Sequence, residues 1–277
     1  MAPSLDLRPL TPAIGAEIRG IDLTTDLDDP AVEAAVRAAF LEHHVLVFRD
    51  QELTREAHKS FGRRFGELHV HPSNKRTNFR GDPEIFRVKS DENTVLNNGG
   101  LWHADVTCEL RPPLGSMLLL TEAPTHGGDT LFANMHLAYE TLSEPIRDLL
   151  DGLHAVHDQA LDYARYGIEI PADATLPRST HPVVVRHPET GRRLLFVNRA
   201  FTDHIVELRR PESDALLSML YDHIAGSPSL QCRVQWQPGT LVFWDNRCTQ
   251  HYAVWDYRPQ RRAGERVTIM ADTAPAA

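Results

Sequence analysis

In the stretch LWHADVTCEL, His103 and Asp105 stand two residues apart. Positions i and i+2 of a β-strand share a face. The spacing therefore predicts an imidazole and a carboxylate side by side, with Trp102, Ala104 and Val106 turned the other way. Such a pair can chelate one cation, and a third ligand must come from elsewhere in the chain. The strongest candidate is His251, just beyond the apolar run of TLVFWDNRCTQHYAVWDY. Two histidines and one carboxylate on one side of an ion form the facial triad of non-haem iron(II) oxygenases, which leaves positions open for substrate and oxygen. The same three ligands could instead hold zinc and activate a water for hydrolysis.

Residues so far apart need a frame. Several short apolar runs serve as strands: WHADVTCEL, GSMLLLTEA, DTLFANM, HPVVVRH, RRLLFVN, QCRVQWQ, GTLVFWD and RVTIMAD. Turn residues separate them, a pattern that predicts a β-sandwich or barrel of the jelly-roll kind. In the first third, HHVLVFRD is a further buried strand. Asp29 and Pro30 open a helix with Val32, Ala35, Val36 and Phe40 on one face. Thr54 caps a second helix carrying Ala57 and Phe61, with Phe65 on the same side. Two later helices are expected, one opening near Ser143 and Pro145, the other over PESDALLSMLYDHIAG. Between 69 and 101 the periodicity fades into turn-rich sequence of the type that forms active-site loops.

The 277 residues are 42% hydrophobic and 24% charged, with a formal net charge of −9. That balance speaks against a broad nucleic-acid surface, which needs excess Lys and Arg. It leaves room for a small anion held by a local arginine. No apolar run is long enough for a membrane span, and the N-terminal MAPSLDLRPL lacks the pattern of a signal peptide. Cys108, Cys232 and Cys248 are odd in number and lack metal-finger spacing, which suits a reducing, cytoplasmic setting.

WHADVT, HGGDTLF, HPVVVRHPETGRRLLFVN and WDNRCTQHYAVWDYRPQRR together resemble the TauD/TfdA family of Fe(II)/2-oxoglutarate-dependent dioxygenases, nearest its taurine dioxygenase and alkyl-sulfatase members. The likeness runs from GAEIRGIDL to RVTIMAD. It implies a single domain over 1–277, mainly β with flanking α-helices, built on a double-stranded β-helix (jelly-roll, cupin-like) core, with an active-site loop over about 72–101. It implies iron(II) on His103, Asp105 and His251, with O2 and 2-oxoglutarate as cosubstrates. Arg262, eleven residues beyond His251, would bind the distal carboxylate of 2-oxoglutarate, helped by Thr130. An arginine offers a rigid two-pronged fork for that group. Arg266 shares the parity of Arg262, whereas Arg261 would point away.

The resemblance further implies an anionic organic substrate held by Arg266 and His71, beside Val106, Tyr163 and Phe201. Two positions depart from taurine dioxygenase: Asn74 stands for a tyrosine, and Gly99 for an asparagine. The expected reaction is hydroxylation of a sulfonate or sulfate ester, with decarboxylation of 2-oxoglutarate to succinate and CO2. Hydroxylation at a carbon bearing sulfonate or sulfate would leave an aldehyde and release sulfite or sulfate. A carboxylate substrate of aryloxyalkanoate type is the alternative, and a metal-dependent hydrolase or a non-catalytic jelly-roll binding protein stand behind it. Such enzymes imply a homodimer or homotetramer and no nucleic-acid or membrane partner.

Overall fold

The computed structural model of the chain describes residues 5–70, 81–96, 99–170 and 174–277. In chain order the strands begin with β1 Asp6–Pro9, β2 Ala16–Arg19, β3 Val45–Phe48, β4 Phe86–Ser90, β5 Gly115–Glu122, β6 Thr130–Asn134 and β7 His154–Asp158. There follow β8 Arg178–Pro182, β9 Val184–Arg186, β10 Arg193–Leu195, β11 Thr202–Ile205, β12 Gln231–Val234, β13 Thr240–Asp245, β14 Thr249–Ala253 and β15 Arg262–Ile269. The helices are α1 Pro30–His43, α2 Arg55–Arg63, α3 Met135–Glu140, α4 Glu144–Leu150, α5 Gln159–Arg165 and α6 Arg210–Ala225.

A large sheet runs β1-β2-β3-β13-β5-β15-β4, and a small one β12-β6-β14 faces it. Pairing is antiparallel except between β2 and β3. The apolar runs of the central strands make sense once both faces are buried. In β3, Leu46 and Phe48 pack outward against α1 and α2 with Phe40, Phe61 and Phe243. Val45 and Val47 alternate inward, meeting Leu118, Leu120, Val242 and Trp244 of the same sheet and Phe132 and Trp236 of the small sheet. The outer face of the small sheet is covered by α3 and α6, with Leu217, Leu220 and Ile224 inward. This is the mainly β jelly-roll with flanking helices that the pattern predicts.

Local signals hold where a cap or a period defined them. Asp29 accepts the N–H of Ala31 at the start of α1, and Thr54 accepts that of Ala57 at the start of α2. Two short helices, α3 and α5, were not expected. Each opens on a residue whose side chain caps it, Asn134 and Asp158, at the end of a strand whose apolar run masks the change. Among the described residues, no helix is long and apolar enough to cross a membrane.

Candidate active site

The segment around His103 is not the strand its alternation predicts. His103 makes one isolated bridge to His251, with their N–H and C=O groups paired at 3.1 and 2.8 Å. The chain then turns over Asp105–Cys108. Two features end the ladder there. The Asp105 N–H is taken by the side chain of Asn246 at 2.7 Å, and Val106 adopts φ 50°, a region costly for a β-branched residue. The turn swings Val106 onto the cavity wall that His103 and Asp105 also line, rather than the opposite face.

His103, Asp105 and His251 nonetheless converge. Their ligand atoms lie within 4.8 Å of one another, and Asp105 Oδ1 is 3.9 Å from His103 Nε2 and 4.0 Å from His251 Nε2. The His103 Nδ1–H donates to the Leu101 carbonyl at 2.7 Å, which leaves Nε2 with its lone pair toward the group. Burial holds the pKa of His251 well below the usual histidine value, so its imidazole is neutral and able to donate to a metal. Ser116 Oγ donates to Asp105 Oδ2 at 3.1 Å and lies 3.1 Å from Thr268 Oγ1. The donor set is therefore two imidazoles and a hydrogen-bonded carboxylate, which fits iron(II).

The three residues open into a cavity of about 350 Å³. Its inner end is built from strands of both sheets. Arg262 of β15 is 6% exposed there, with its guanidinium 5.3 Å from the Trp236 ring. Trp236 Nε1–H donates to Thr130 Oγ1 at 2.9 Å. Arg262 Nε is buried without a partner among the described residues, and burial lowers its pKa. A buried guanidinium that lines the cavity with one N–H unpaired suits an anion held within it, and a carboxylate alongside Thr130 would supply one.

Arg262 and Arg266 share the cavity wall despite a register shift between Ala263 and Gly264. A Cβ on Gly264 would stand 2.2 Å from the Leu119 carbonyl, so only glycine permits this crossing. Arg261 points out and pairs with Glu122. Arg266 Nη1 donates to both Asp105 oxygens, at 2.9 and 3.1 Å, while the guanidinium lies 4.8 Å from the Phe86 ring. The residue expected to face a substrate anion thus also touches the carboxylate of the triad.

The outer end is different. Phe86, Leu96, Tyr166 and Ile168 line it and are partly or largely exposed, and Tyr163 and Phe201 form its floor. Gly99, at φ 102°, brings backbone to the metal group. A Cβ there would lie 3.5 Å from the His103 ring, and its N–H bonds the Tyr166 hydroxyl at 3.3 Å. His71 and Asn74 lie outside the described residues. Sequence reasoning missed Trp236, Asn246 and Ser116. Trp236 had a signal, its alternation with Val234 along QCRVQWQ. Asn246 and Ser116 had none, because their partners are 141 and 11 residues away.

A family model described as "Taurine catabolism dioxygenase TauD, TfdA family" matches residues 6–268. The chain is 41% identical to an alpha-ketoglutarate-dependent sulfonate dioxygenase of Saccharomyces cerevisiae, over 97% of this chain and 67% of that protein. It is 36% identical to an alpha-ketoglutarate-dependent sulfate ester dioxygenase of Pseudomonas putida, over 98% and 91%. A solved taurine dioxygenase from Burkholderia xenovorans superposes with TM-score 0.83 at 38% identity, covering 99% of this chain and 93% of that one.

Proposed function

The chain belongs to the TauD/TfdA family, and from that premise we propose that it hydroxylates a small organic sulfonate or sulfate ester held between Arg266 and the outer wall of the cavity. It is an alpha-ketoglutarate-dependent dioxygenase, and iron(II), 2-oxoglutarate and O2 are the cofactor and cosubstrates of its reaction. Bound iron(II) supplies oxygen activation coupled to decarboxylation of 2-oxoglutarate, with succinate, CO2 and a hydroxylated substrate as products.

The protein's part is binding and orientation. His103, Asp105 and His251 would hold the metal, with Leu101 and Ser116 fixing the His103 tautomer and the Asp105 carboxylate. Arg262 and Thr130 would seat the distal carboxylate of 2-oxoglutarate at the buried end, directing its other end toward the triad. Arg266, and His71 from beyond the described residues, would anchor the sulfur oxyanion. Val106, Tyr163 and Phe201 would wall the carbon chain, and Asn74, outside the described residues, is a further candidate for substrate binding. These apolar walls keep water from the reacting carbon. Hydroxylation at the carbon that bears the sulfonate or the sulfate ester oxygen yields an adduct that collapses to an aldehyde, with release of sulfite or sulfate respectively.

The observation that carries this reading is the buried Arg262, its Nε without a partner among the described residues, beside Thr130 and Trp236 in one cavity with the triad. A metal hydrolase has no use for that cation. The test is a panel of alkyl sulfonates, amino sulfonates, alkyl sulfates and aryloxyalkanoates, scored by succinate. Succinate dependent on 2-oxoglutarate and on a sulfur oxyanion is expected. Turnover confined to aryloxyalkanoates would replace the substrate class, and product without any need for 2-oxoglutarate would overturn the reaction. We further propose a single domain over 1–277, acting in the cytoplasm as a homodimer or homotetramer. Three buried free cysteines suit that compartment, and light scattering of the purified chain tests the assembly.

A further inference from the structure

A second group of metal-ligating side chains lies away from the cavity, where the end of α1, the start of α3 and the turn between β13 and β14 meet. His44, His136 and Cys248 bring an imidazole nitrogen each and a thiol within 4.8 Å of one another. They are 4%, 0% and 0% exposed. Backbone bonds tie the three segments together: the Asp245 N–H donates to the His44 carbonyl, and the Met135 N–H donates to the Cys248 carbonyl.

The hydrogen bonding of this group is incomplete in a specific way. His136 Nδ1–H donates to the Arg193 carbonyl at 2.9 Å, which places its lone pair on Nε2, and Nε2 has no partner among the described residues. Neither nitrogen of His44 has one. Buried polar atoms of this kind signal something that fills the gap. A carbonyl that fixes the tautomer of a histidine is also the usual support of a metal-binding imidazole. The neighbouring His187 is different. It is fully engaged, donating to Asp245 and accepting the N–H groups of Glu189 and Thr190. Asp245 is in turn neutralised by Arg247.

We propose that His44, His136 and Cys248 form a buried site for a thiophilic d10 cation, zinc(II) or copper(I), separate from the iron triad. Two imidazoles and a thiolate are the ligand set that soft and borderline ions take. Bonds of zinc-site length put ligand atoms roughly 3.5–4 Å apart, so a small contraction closes the group. Arg247 and Arg192 lie near Cys248, but both are engaged by carboxylates, Arg247 by Asp245 and Glu189 and Arg192 by Glu140, and a bound ion would balance the thiolate directly. Burial holds both imidazoles neutral, with pKa values lowered to about 3 for His44 and about 4 for His136. The site would staple α1 and α3 to the turn that leads into β14, the strand that carries His251. With all three ligands buried, the ion would enter during folding and resist chelators.

The full chain is produced with zinc or with copper(I) supplied, dialysed against EDTA in its folded state, and analysed for metal. About one equivalent per chain is expected to survive. The same retention is expected in His103→Ala, which damages only the iron triad. Cys248→Ala and His136→Gln should each lower it at least about tenfold. Cobalt(II) supplied in place of zinc should give a thiolate-to-metal absorption band that Cys248→Ser removes. Retention in the zinc or the copper arm identifies the ion. A wild-type chain free of metal in both arms, or variants that keep as much as wild type, would overturn the proposal and leave an ordered water as the partner of His44. Should Cys248→Ala not fold, His44→Gln under the same measurement decides.

Discussion

The two ends of the cavity are built by different means. At the inner end Thr130, Trp236 and Arg262 sit on or beside strands of both sheets, all buried, with the Trp236–Thr130 hydrogen bond fixing one wall. At the outer end Phe86 comes from an edge strand, Tyr163 and Tyr166 from a seven-residue helix and its last turn, and Leu96 and Ile168 from partly exposed loops. A cosubstrate shared by every turnover suits the rigid end. A substrate that differs between relatives suits the end whose walls can change without disturbing the sheets.

The comparison breaks first at Arg262. Replacement by Met keeps the volume and removes the cation, so the KM for 2-oxoglutarate should rise about a hundredfold, the cost of losing one partner of a buried charge pair. The KM for the organosulfur substrate should change little. Steady-state kinetics with each substrate varied in turn checks this. An equal rise in both constants would mean that the two ends are not separate.

Arg266 stands on the boundary, because its guanidinium reaches Asp105 and also borders Phe86 at the outer end. Arg266→Gln should raise the KM for the organosulfur substrate about thirtyfold and leave that for 2-oxoglutarate within a few-fold. It should also alter the visible band formed anaerobically with iron(II) and 2-oxoglutarate, since Asp105 loses a donor. An unchanged band with a raised KM would assign Arg266 to the substrate alone.

How much of this was legible in the sequence follows the same division. The inner end was readable because period 2 survives there. Arg262 and Arg266 keep one parity along β15 through its regular pairing with β4, despite the shift against β5, and Thr130 opens an apolar strand whose partners are regular. His103 and Asp105 were rightly paired but for a wrong reason. The strand that should align them stops at His103, and a turn held by Asn246 and a positive φ at Val106 does the work. No local pattern announces a bond between residues 105 and 246. The outer end was least legible: α5 is short, its cap Asp158 closes a strand, and His71 and Asn74 carry no periodicity at all. Membership in the family extended the reading to positions whose spacing alone said little.

The frame around the cavity has its own pH signature. His58 of α2 is buried beneath β5, donating Nε2–H to the Met117 carbonyl, and burial lowers its pKa to about 4. His157 is likewise lowered, to about 3, chiefly by burial. In the unfolded chain both take up protons near 6.5, which the folded chain refuses. Their contribution to stability is therefore whole above pH 6.5 and is lost as pH falls toward 4. Each histidine costs about 1.4 kcal/mol per pH unit in that window. Urea midpoints of the metal-free chain should fall steadily from pH 7 to 5. His58→Gln should flatten the slope by about one proton, and an unchanged slope would show that other groups set it.

The smallest effect is expected at Phe201, on the outer floor. It packs with Val106, Cys108 and Ala200 in a cluster of only four buried residues, so the site can give when the ring is trimmed. Phe201→Leu should lengthen the space for the carbon chain and shift preference toward longer alkyl sulfates or sulfonates. The shift should be about tenfold in relative kcat/KM, the worth of one or two methylenes in an apolar pocket. The KM for 2-oxoglutarate should not move. Competition between a short and a long homologue in one reaction measures the shift directly. If the long homologue gains nothing while 2-oxoglutarate binding weakens, Phe201 belongs to the rigid end, and the boundary between the two ends lies further out than the exposure of their walls implies.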